Sequence, residues 1–464
     1  MAVAAGYGYT LVVTEHAQVY SFGANPKGQL GIGTRENSNT FKLIENEIDH
    51  TPGFNDEHVV MVAAGSRHSA CVTEEGSLWT WGHAGHDKLG TAASFNMHTS
   101  RLRPDRLVPA LFGRSRARMV ACGDDFTMLL TVDGRVWNCG QGLHGELGHD
   151  DYVSRNHLTM IDPARFGGGL ITMIAAGWEH SMAQVAGGGP LYTWGLNLLG
   201  QLGHSVDEEC VKIPVALPGA TFGGVDVASF DGGCEHCMVV TVTGLVYATG
   251  WNICGQLGIG HKRPSETFQL VGEANSFQTE GVRMVSCGTN YSLFVTNDDN
   301  LWGCGFGCYS VNSLGESNTP AEHVYPTRIP TYPCNLKFKV VVAGNVHSAA
   351  ITSDGQLYTW GVRVSWTRIG IEHEGGVPTI RNYTGDVSVP QHIHPVAFAN
   401  SRVGRWHVMT QKRATAFMMN SHIRLASDSA LRDMDHEMLR MIIDNACFEP
   451  RVDTGSALRR LIGF

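Results

Sequence analysis

Residues 62–82 read VAAGSRHSACVTEEGSLWTWG, and the pattern of this segment recurs along the chain. Small and β-branched residues precede Gly65, and His68, whose side chain carries a ring, follows three positions later. Residues of alternating character lie on both sides of the Glu75-Gly76 dipeptide. Alternating runs on both sides of an acidic residue and a glycine are typical of a β-hairpin. The segment therefore predicts a strand that ends at the glycine and a hairpin that follows it.

The glycine that ends the first strand returns at a nearly constant interval. The intervals between successive copies are 59, 58, 54, 56, 55, 56 and 60 residues. A fixed period of this length, in which each unit carries several short strands, indicates a repeat fold. The copies are Gly6, Gly65, Gly123, Gly177, Gly233, Gly288, Gly344 and the weaker Gly404, and the ring three residues later is Tyr9, His68, Phe126, His180, His236, Tyr291, His347 and His407.

Each unit continues with a tight turn and a fourth strand. Proline lacks an N–H donor and belongs on a sheet edge, so we expect proline-bearing outer strands at 108–112, 213–217 and 394–398. Seven units of four strands predict an all-β, seven-bladed β-propeller of four-stranded blades, because wedge-shaped sheets packed around an axis bury both faces. The turns carry GQLG at 28–31, 200–203 and 255–258, GELG at 145–148, and degenerate forms at 88–90, 313–315 and 368–370.

The last part of the chain departs from the repeat. We expect a propeller domain over residues 1–419, in which 401–419 is a degenerate hairpin that either closes the ring or is an appendage. Apolar residues at helical spacing within 429–447 predict a short C-terminal helical tail over 420–464, which either docks on the propeller or binds a partner. Residues 363–393 lie inside the seventh repeat and are expected to form a protruding loop.

The composition narrows the choice of partner and compartment. With 34 Lys and Arg against 43 Asp and Glu, the formal net charge of -9 gives no general attraction for nucleic acid or anionic lipid. No stretch approaches about 18 apolar residues, and the opening MAVAAGYGYT lacks a charged segment before an apolar run, so we expect neither a membrane span nor a secretory signal. The 12 cysteines are scattered at strand-like positions, as reduced buried thiols are. We therefore expect an intracellular protein, in the cytoplasm rather than the nucleus.

Residues that suggest catalysis or ligand binding have ordinary structural explanations. The ring position accepts Phe126, so it needs neither a metal ligand nor a general base. Cys234 and Cys237 form a lone Cys-x-x-Cys, whereas structural zinc takes four ligands. Residues 23–28 have the glycine spacing of a phosphate loop without the Lys-Ser/Thr that follows it. We expect no catalytic residue, metal or cofactor, and a structural role for Gly65, Gly177, Gly344, His68, His180, His236 and His347.

The motif set resembles the repeats of the regulator-of-chromosome-condensation family. The Gly-x-x-His-Ser step, the GQLG turn and the period of about 55 residues recur in order over residues 1–400. The resemblance implies a seven-bladed propeller used to bind other proteins. The family's chromatin-bound exchange factor carries a basic N-terminal tail, whereas this chain starts within the first repeat and is acidic. Nucleosome binding and nuclear targeting are therefore not expected.

Two residues separate the glycine from the ring in each repeat, and a propeller brings all these pairs to one face. In the family member that exchanges nucleotide on the GTPase Ran, acidic and histidine residues at these loop positions contact the GTPase. The resemblance carries that role to Asp124, Asp125 and Glu179. The alternative is that these are solvated loop charges without a partner. The candidate partner-binding residues are Arg67, Asp124, Asp125, Trp178, Glu179, Glu235 and Asn290.

Three functions are compatible with these residues. The first is a non-enzymatic protein-protein interaction scaffold, because a rigid ring presents its loops and carries no recognised catalytic motif. The second is a guanine-nucleotide exchange factor for a Ran-like small GTPase, in which residues 363–393 would disturb the bound nucleotide. A domain tied to ubiquitin ligation is a third and weaker alternative, since no ligase domain is recognised after the repeats.

Overall fold

The structure is a computed structural model of the 464-residue chain. It describes residues 1–44, 54, 57–91, 99–204, 208–272, 277–306, 322–329, 336–345, 347–361 and 387–392. The predicted hairpin at 401–419, the tail at 420–464 and the domain boundary between them lie outside these ranges.

The described strands form seven four-stranded sheets, and each sheet is built from four strands that are consecutive in the sequence. This confirms the predicted all-β, seven-bladed propeller. Blade 1 consists of β1 Ala2–Ala5, β2 Tyr9–Val13, β3 Val19–Gly23 and β4 Ser38–Leu43, and blade 2 of β5 Val59–Ala64, β6 His68–Thr73, β7 Leu78–His83 and β8 Ser100–Leu107. Blade 3 consists of β9 Ala117–Cys122, β10 Phe126–Thr131, β11 Val136–Gly140 and β12 Arg155–Met160, and blade 4 of β13 Ile171–Ala176, β14 His180–Val185, β15 Leu191–Leu196 and β16 Cys210–Ala216. Blade 5 consists of β17 Val227–Gly232, β18 His236–Thr241, β19 Val246–Gly250 and β20 Ser265–Leu270. Blade 6 consists of β21 Val282–Cys287, β22 Tyr291–Thr296, β23 Leu301–Phe306 and β24 Glu322–Arg328, and blade 7 of β25 Phe338–Ala343, β26 His347–Thr352, β27 Leu357–Gly361 and β28 Val387–His392.

Helices are short in the described part of the chain. None of them is long and apolar enough to cross a membrane. They are three 3-10 turns, Gly85–Asp87, Pro109–Phe112 and Pro163–Phe166, and one α-helical turn, Phe277–Glu280.

The two middle strands of a blade are its most buried part. Every residue of β6 and β7 is buried, whereas the outer strand β8 is mostly half-exposed. Near the end of β7, where the pairing with β8 shifts register, the chain needs a glycine because the backbone is left-handed and another chain segment approaches closely. Gly82 has φ +98°, and a Cβ there would lie 2.6 Å from the carbonyl oxygen of Arg67.

The hydrophobic core lies between blades. One cluster joins Tyr9 and Leu11 of blade 1 to Trp79 and Trp81 of blade 2. The Trp81 indole N–H also donates to the Gln29 carbonyl at 2.8 Å, so the same side chain packs and hydrogen-bonds across the junction. The remaining clusters repeat this arrangement at the junctions of blades 2 and 3, 3 and 4, 4 and 5, 5 and 6, and 6 and 7.

Where the recurring ring is a histidine or a tyrosine, its polar atom reaches the next blade. The Thr127 hydroxyl donates to the Lys88 carbonyl at 2.7 Å, so the His68 Nε2–H donates to that hydroxyl at 2.9 Å. His347 makes the same 2.9 Å contact with Thr10 and thereby joins blade 7 to blade 1. The described strands of blade 7 and blade 1 are thus joined directly by a side-chain hydrogen bond.

The fourth strands differ from the sequence expectation in two blades. In blade 2, residues 108–112 mostly form a 3-10 turn, and the outer strand is Ser100–Leu107 with Pro104 within it. In blade 7, the described outer strand is Val387–His392 with Pro390, so the end of the expected 363–393 loop is a strand. Most of that loop and the outer strand expected at 394–398 lie outside the described residues. Edge strands accept proline at any position that faces solvent, and a proline alone does not fix their bounds.

Candidate protein-binding face

Two kinds of connection meet at one face of the propeller. We call this the loop face: it holds the loops from the first to the second strand of each blade and the turns from the third to the fourth. Backbone hydrogen bonds join the two kinds within a blade. The Gln141 N–H donates to the Asp125 carbonyl at 2.9 Å, and the Trp251 N–H donates to the Glu235 carbonyl at 2.8 Å.

The inner loops are also tied to one another across blades. The Asp124 N–H donates to the Trp178 carbonyl at 3.0 Å, and the Trp178 N–H donates to the Gly233 carbonyl at 3.1 Å. Cys234 continues the series with an N–H donated to Gly288 at 3.3 Å. These bonds fix the loops of blades 3 to 6 before any partner arrives, which lowers the entropy cost of binding.

The structure brings the four predicted acidic residues together on blades 3, 4 and 5. We call Asp124, Asp125, Glu179 and Glu235 the acidic crescent; all four side chains are half-buried. Burial raises the pKa of Glu179, with His144 opposing and the charges of Asp124 and Glu235 adding to the rise. Burial also raises the pKa of Glu235. The crescent therefore holds mutually repelling carboxylates that a cation would stabilise.

A buried lysine lies beneath the blade 3 end of the crescent. Lys88 is 1% exposed, and its ammonium contacts the Asp125 carboxylate and lies 3.5 Å from the Asp124 carbonyl. Burial lowers the pKa of Lys88 to about 7. The His86 imidazole lies 3.7 Å from the other Asp125 oxygen, so Asp125 is already engaged by two groups of blade 2.

At the junction of blades 3 and 4, a histidine again lies beside an acidic loop residue, but the buried turn residue is a carboxylate instead of a lysine. The His144 Nδ1 lies 3.5 Å from Glu179, at the turn position that His86 holds one blade earlier. Two residues further along, Glu146 replaces Lys88, and its carboxylate accepts a hydrogen bond from the backbone N–H of His144 at 2.8 Å. Burial raises the pKa of Glu146 to about 7.

The remaining predicted residues flank the crescent or lie within it. Trp178 is half-buried next to Glu179, exposed Arg67 is on blade 2, and half-buried Asn290 is on blade 6. Lys88, His86, His144 and Glu146 are not among the residues predicted for this face. The sequence does contain an indication of them: in the turns of the two blades that face acidic loops, Lys88 and Glu146 replace the glutamine found in other turns.

The predicted structural histidines are packed at blade junctions. His236 donates from Nε2 to Ser292 at 2.9 Å, and His180 lies 3.0 Å from the Cys237 sulfur. Within the described ranges, no group of three or more His, Cys, Asp and Glu side chains is placed to hold a metal ion. The Cys234 and Cys237 thiols are free and buried, and burial raises the pKa of both.

These features define a propeller that presents a preorganised, charged loop face. The RCC1-like domain model matches residues 1–340, and the RCC1 repeat model matches residues 338–362. The chain therefore belongs to the RCC1-like domain family.

Relatives with the same repeats have varied descriptions. The ultraviolet-B receptor UVR8 of Arabidopsis thaliana is 34% identical over 259 residues, which is 56% of this chain and 54% of the receptor. The human E3 ubiquitin-protein ligase HERC2 is 34% identical over 295 residues, which is 63% of this chain and 6% of the ligase. The chain thus spans about half of the first relative and a small part of the second.

A solved structure shares the fold. Prp20p of Saccharomyces cerevisiae, described with its binding properties to Gsp1p and histones, superposes with a TM-score of 0.65 at 20% identity. The match covers 82% of this chain and 87% of that chain. At this identity the likeness concerns the fold alone.

Proposed function

We propose that this chain is a protein-binding scaffold whose acidic crescent receives a basic surface of a partner protein. The observation that supports this most strongly is the charge state of the crescent. No cation lies within ion-pair distance of Asp124 or Glu235 among the described residues, whereas Asp125 is paired with Lys88. Two carboxylates on a rigid frame are thus available to lysines or arginines of a partner, which increases the rate of encounter and fixes orientation.

The fold also supports a binding role rather than catalysis. The loops that carry the crescent are held by inter-blade hydrogen bonds, so they present a fixed arrangement of charge. Membership in a family whose members include a photoreceptor and parts of ubiquitin ligases supports a module that serves different assemblies.

A charge-neutralising variant tests the proposal. Asp124→Asn, Glu179→Gln and Glu235→Gln together remove the crescent's charge but keep Asp125 opposite the buried Lys88. The wild type and the variant are used to capture partners from the source cells, and the leading partner is then purified for affinity measurement. We expect the triple variant to bind about tenfold or more weakly at low salt, with a flatter salt dependence.

A control variant removes the same charge from the opposite face. Glu74, Glu75 and Asp226 lie at hairpin turns or at the start of a first strand, away from the loop face. Neutralising these three residues should leave the affinity within about twofold, as is usual for charges outside an interface. Equal binding by the wild type and the crescent variant would rule the proposed function out.

Guanine-nucleotide exchange remains a second candidate function. It is favoured by Asp124, Asp125 and Glu179, which match loop positions that contact the GTPase in the family's exchange factor. A nucleotide-release assay against a panel of Ran-like small GTPases separates this activity from a scaffold. Faster release that the crescent variant loses would establish exchange, and unchanged release at micromolar protein would exclude it.

A further inference from the structure

Three large apolar side chains lie exposed at the same turn position in three neighbouring blades. Leu143, Leu198 and Ile253 each stand three residues before the turn glutamine or its replacement, in blades 3, 4 and 5. Their side chains are 58%, 59% and 53% exposed. We call these residues the apolar arc.

The fold does not require apolar residues at this position. The equivalent residues of blades 1 and 2 are Pro26 and Gly85, and the turns there still close with backbone hydrogen bonds, from Gly28 to Asn25 and from Asp87 to Ala84. The side chains of the arc contribute little to the core, because more than half of each is exposed. A single exposed leucine is ordinary, but three at equivalent positions of adjacent blades indicate a contact surface.

The arc and the acidic crescent occupy the same three blades of the loop face. At the junction of blades 3 and 4 they are neighbours, because His144, which follows Leu143 in the sequence, lies 3.5 Å from Glu179 of the crescent. Within blade 5, the Trp251 N–H donates to the Glu235 carbonyl, and Trp251 stands two residues before Ile253. An apolar row thus runs beside an acidic row.

We propose that the arc and the crescent together bind a cationic amphipathic helix of a partner protein. Its apolar stripe would cover Leu143, Leu198 and Ile253, and its lysines or arginines would face Asp124, Glu179 and Glu235. An extended peptide fits less well, because the inner loops already use their N–H groups across blades and offer no free strand edge. A helix makes its backbone hydrogen bonds internally, and it can present apolar side chains on one face and cationic side chains on the adjacent face.

This inference rests on the proposed function and names the partner's chemistry. The probe is a synthetic helical peptide of about 18 residues, in which leucine recurs at i, i+3, i+4 and i+7 and lysine occupies the neighbouring positions. A peptide of the same composition in scrambled order is the comparison. Binding to the full chain is measured by fluorescence anisotropy. We expect the ordered peptide to bind about tenfold more tightly than the scrambled one.

Two sets of variants separate the contributions. Replacing Leu143, Leu198 and Ile253 by serine should reduce the preference for the ordered peptide to less than about twofold. The matched control, Val132→Ser with Val242→Ser, changes residues that are 54% and 63% exposed at hairpin turns of the opposite face, and should keep the preference. Since all five residues are exposed, equal thermal midpoints should show that every variant is folded.

Each contrary result has its own meaning. An unchanged preference in the serine variant, or no binding of the ordered peptide by the wild type, would overturn the helix proposal. If the crescent variant then still loses its affinity for the natural partner, the proposed function stands without the helix. If the crescent variant binds that partner as the wild type does, both fall.

Discussion

Glu146 is a buried carboxylate at a turn position where the blades on either side carry Lys88 and Gln201. It is 1% exposed, and its carboxylate accepts the His144 N–H, just as the Gln201 amide oxygen accepts the Leu199 N–H at 2.9 Å. A glutamine therefore preserves the hydrogen bond and removes the charge. Because burial raises the pKa of Glu146 to about 7, its stabilising contribution is complete below the unfolded value and is lost as the pH rises through 7.

The variant Glu146→Gln should be more stable than the wild type in alkaline solution. We expect a gain of about 1–3 kcal/mol in the free energy of unfolding near pH 8, which shrinks toward zero near pH 5. Chemical denaturation at both pH values measures the difference. The converse substitution, Gln201→Glu, should lower the stability near pH 8, and a gain for Glu146→Gln that is the same at both pH values would contradict the account.

The ring histidines differ in the strength of their partners. His236 donates to the Ser292 hydroxyl, whereas His180 contacts the weakly polar Cys237 sulfur. Since phenylalanine already occupies the same position at Phe126, the ring itself can be replaced. We expect His236→Phe to cost about 1 kcal/mol more than His180→Phe. Thermal and urea unfolding of the two variants test this difference, and equal costs would show that the hydrogen bond is not what distinguishes the two positions.

Protonation of these histidines makes the stability of the fold depend on pH in acidic solution. Burial lowers the pKa of His180 and His347 to about 4 and that of His236 to about 3. The unfolded chain takes up these protons near pH 6.5, so the stability contributed by the neutral rings is lost as the pH falls toward 4.

The turn of blade 2 and the inner loop of blade 3 act as one unit at the crescent. Lys88 supplies the cation that neutralises Asp125, although the turns of three other described blades carry Gln29, Gln201 or Gln256. Lys88→Gln restores the common turn residue and leaves Asp125, whose side chain is 26% exposed, to solvent.

The variant Lys88→Gln should bind the basic partner more tightly. Because the pKa of Lys88 is lowered to about 7, its removal takes away part of a positive charge at neutral pH and nearly a full one at mildly acidic pH. We therefore expect a several-fold increase in affinity at low salt and about pH 6, with a steeper salt dependence. Titration calorimetry with the captured partner at two ionic strengths measures both. The control, Lys42→Gln, makes the same charge change on the exposed outer strand of blade 1 and should have little effect. Weaker binding by Lys88→Gln would mean that Lys88 holds Asp125 in its binding position.

The elements were predictable to different degrees. The inner three strands of each blade follow from the glycine, the ring and the hairpin, because these residues are constrained by packing on both sides. The outer strands face solvent and have few such constraints, which is why residues 108–112 were assigned to a strand that is formed by Ser100–Leu107. The acidic residues of the inner loops could be predicted from their position in the repeat. Lys88 and His86 could not, because they contact Asp125 across a blade junction, and the pattern within one repeat does not show contacts between repeats.

The seven described sheets form a propeller that holds its loop face rigid, and binding at this face should depend on pH. Both Glu179 and Glu235 have raised pKa values, so they become neutral at less acidic pH than ordinary carboxyls. Affinity for a lysine-rich or arginine-rich partner should therefore fall as the pH is lowered from neutral into the acidic range, and the fall should begin at a higher pH than ordinary carboxyls would give. Binding measured across this range should be flatter for the crescent variant than for the wild type. A wild-type affinity that rises on acidification would contradict this assignment.

The most direct measurement of the central claim is hydroxyl-radical footprinting of the chain with its captured partner. The method reports the accessibility of side chains, and the loop face offers Trp178, Leu198 and Ile253, while the opposite face offers Val132 and Val242. We predict that the partner protects the first three from oxidation and leaves the two valines as reactive as in the free protein. Protection of the valines with full oxidation of the loop-face residues would contradict the account.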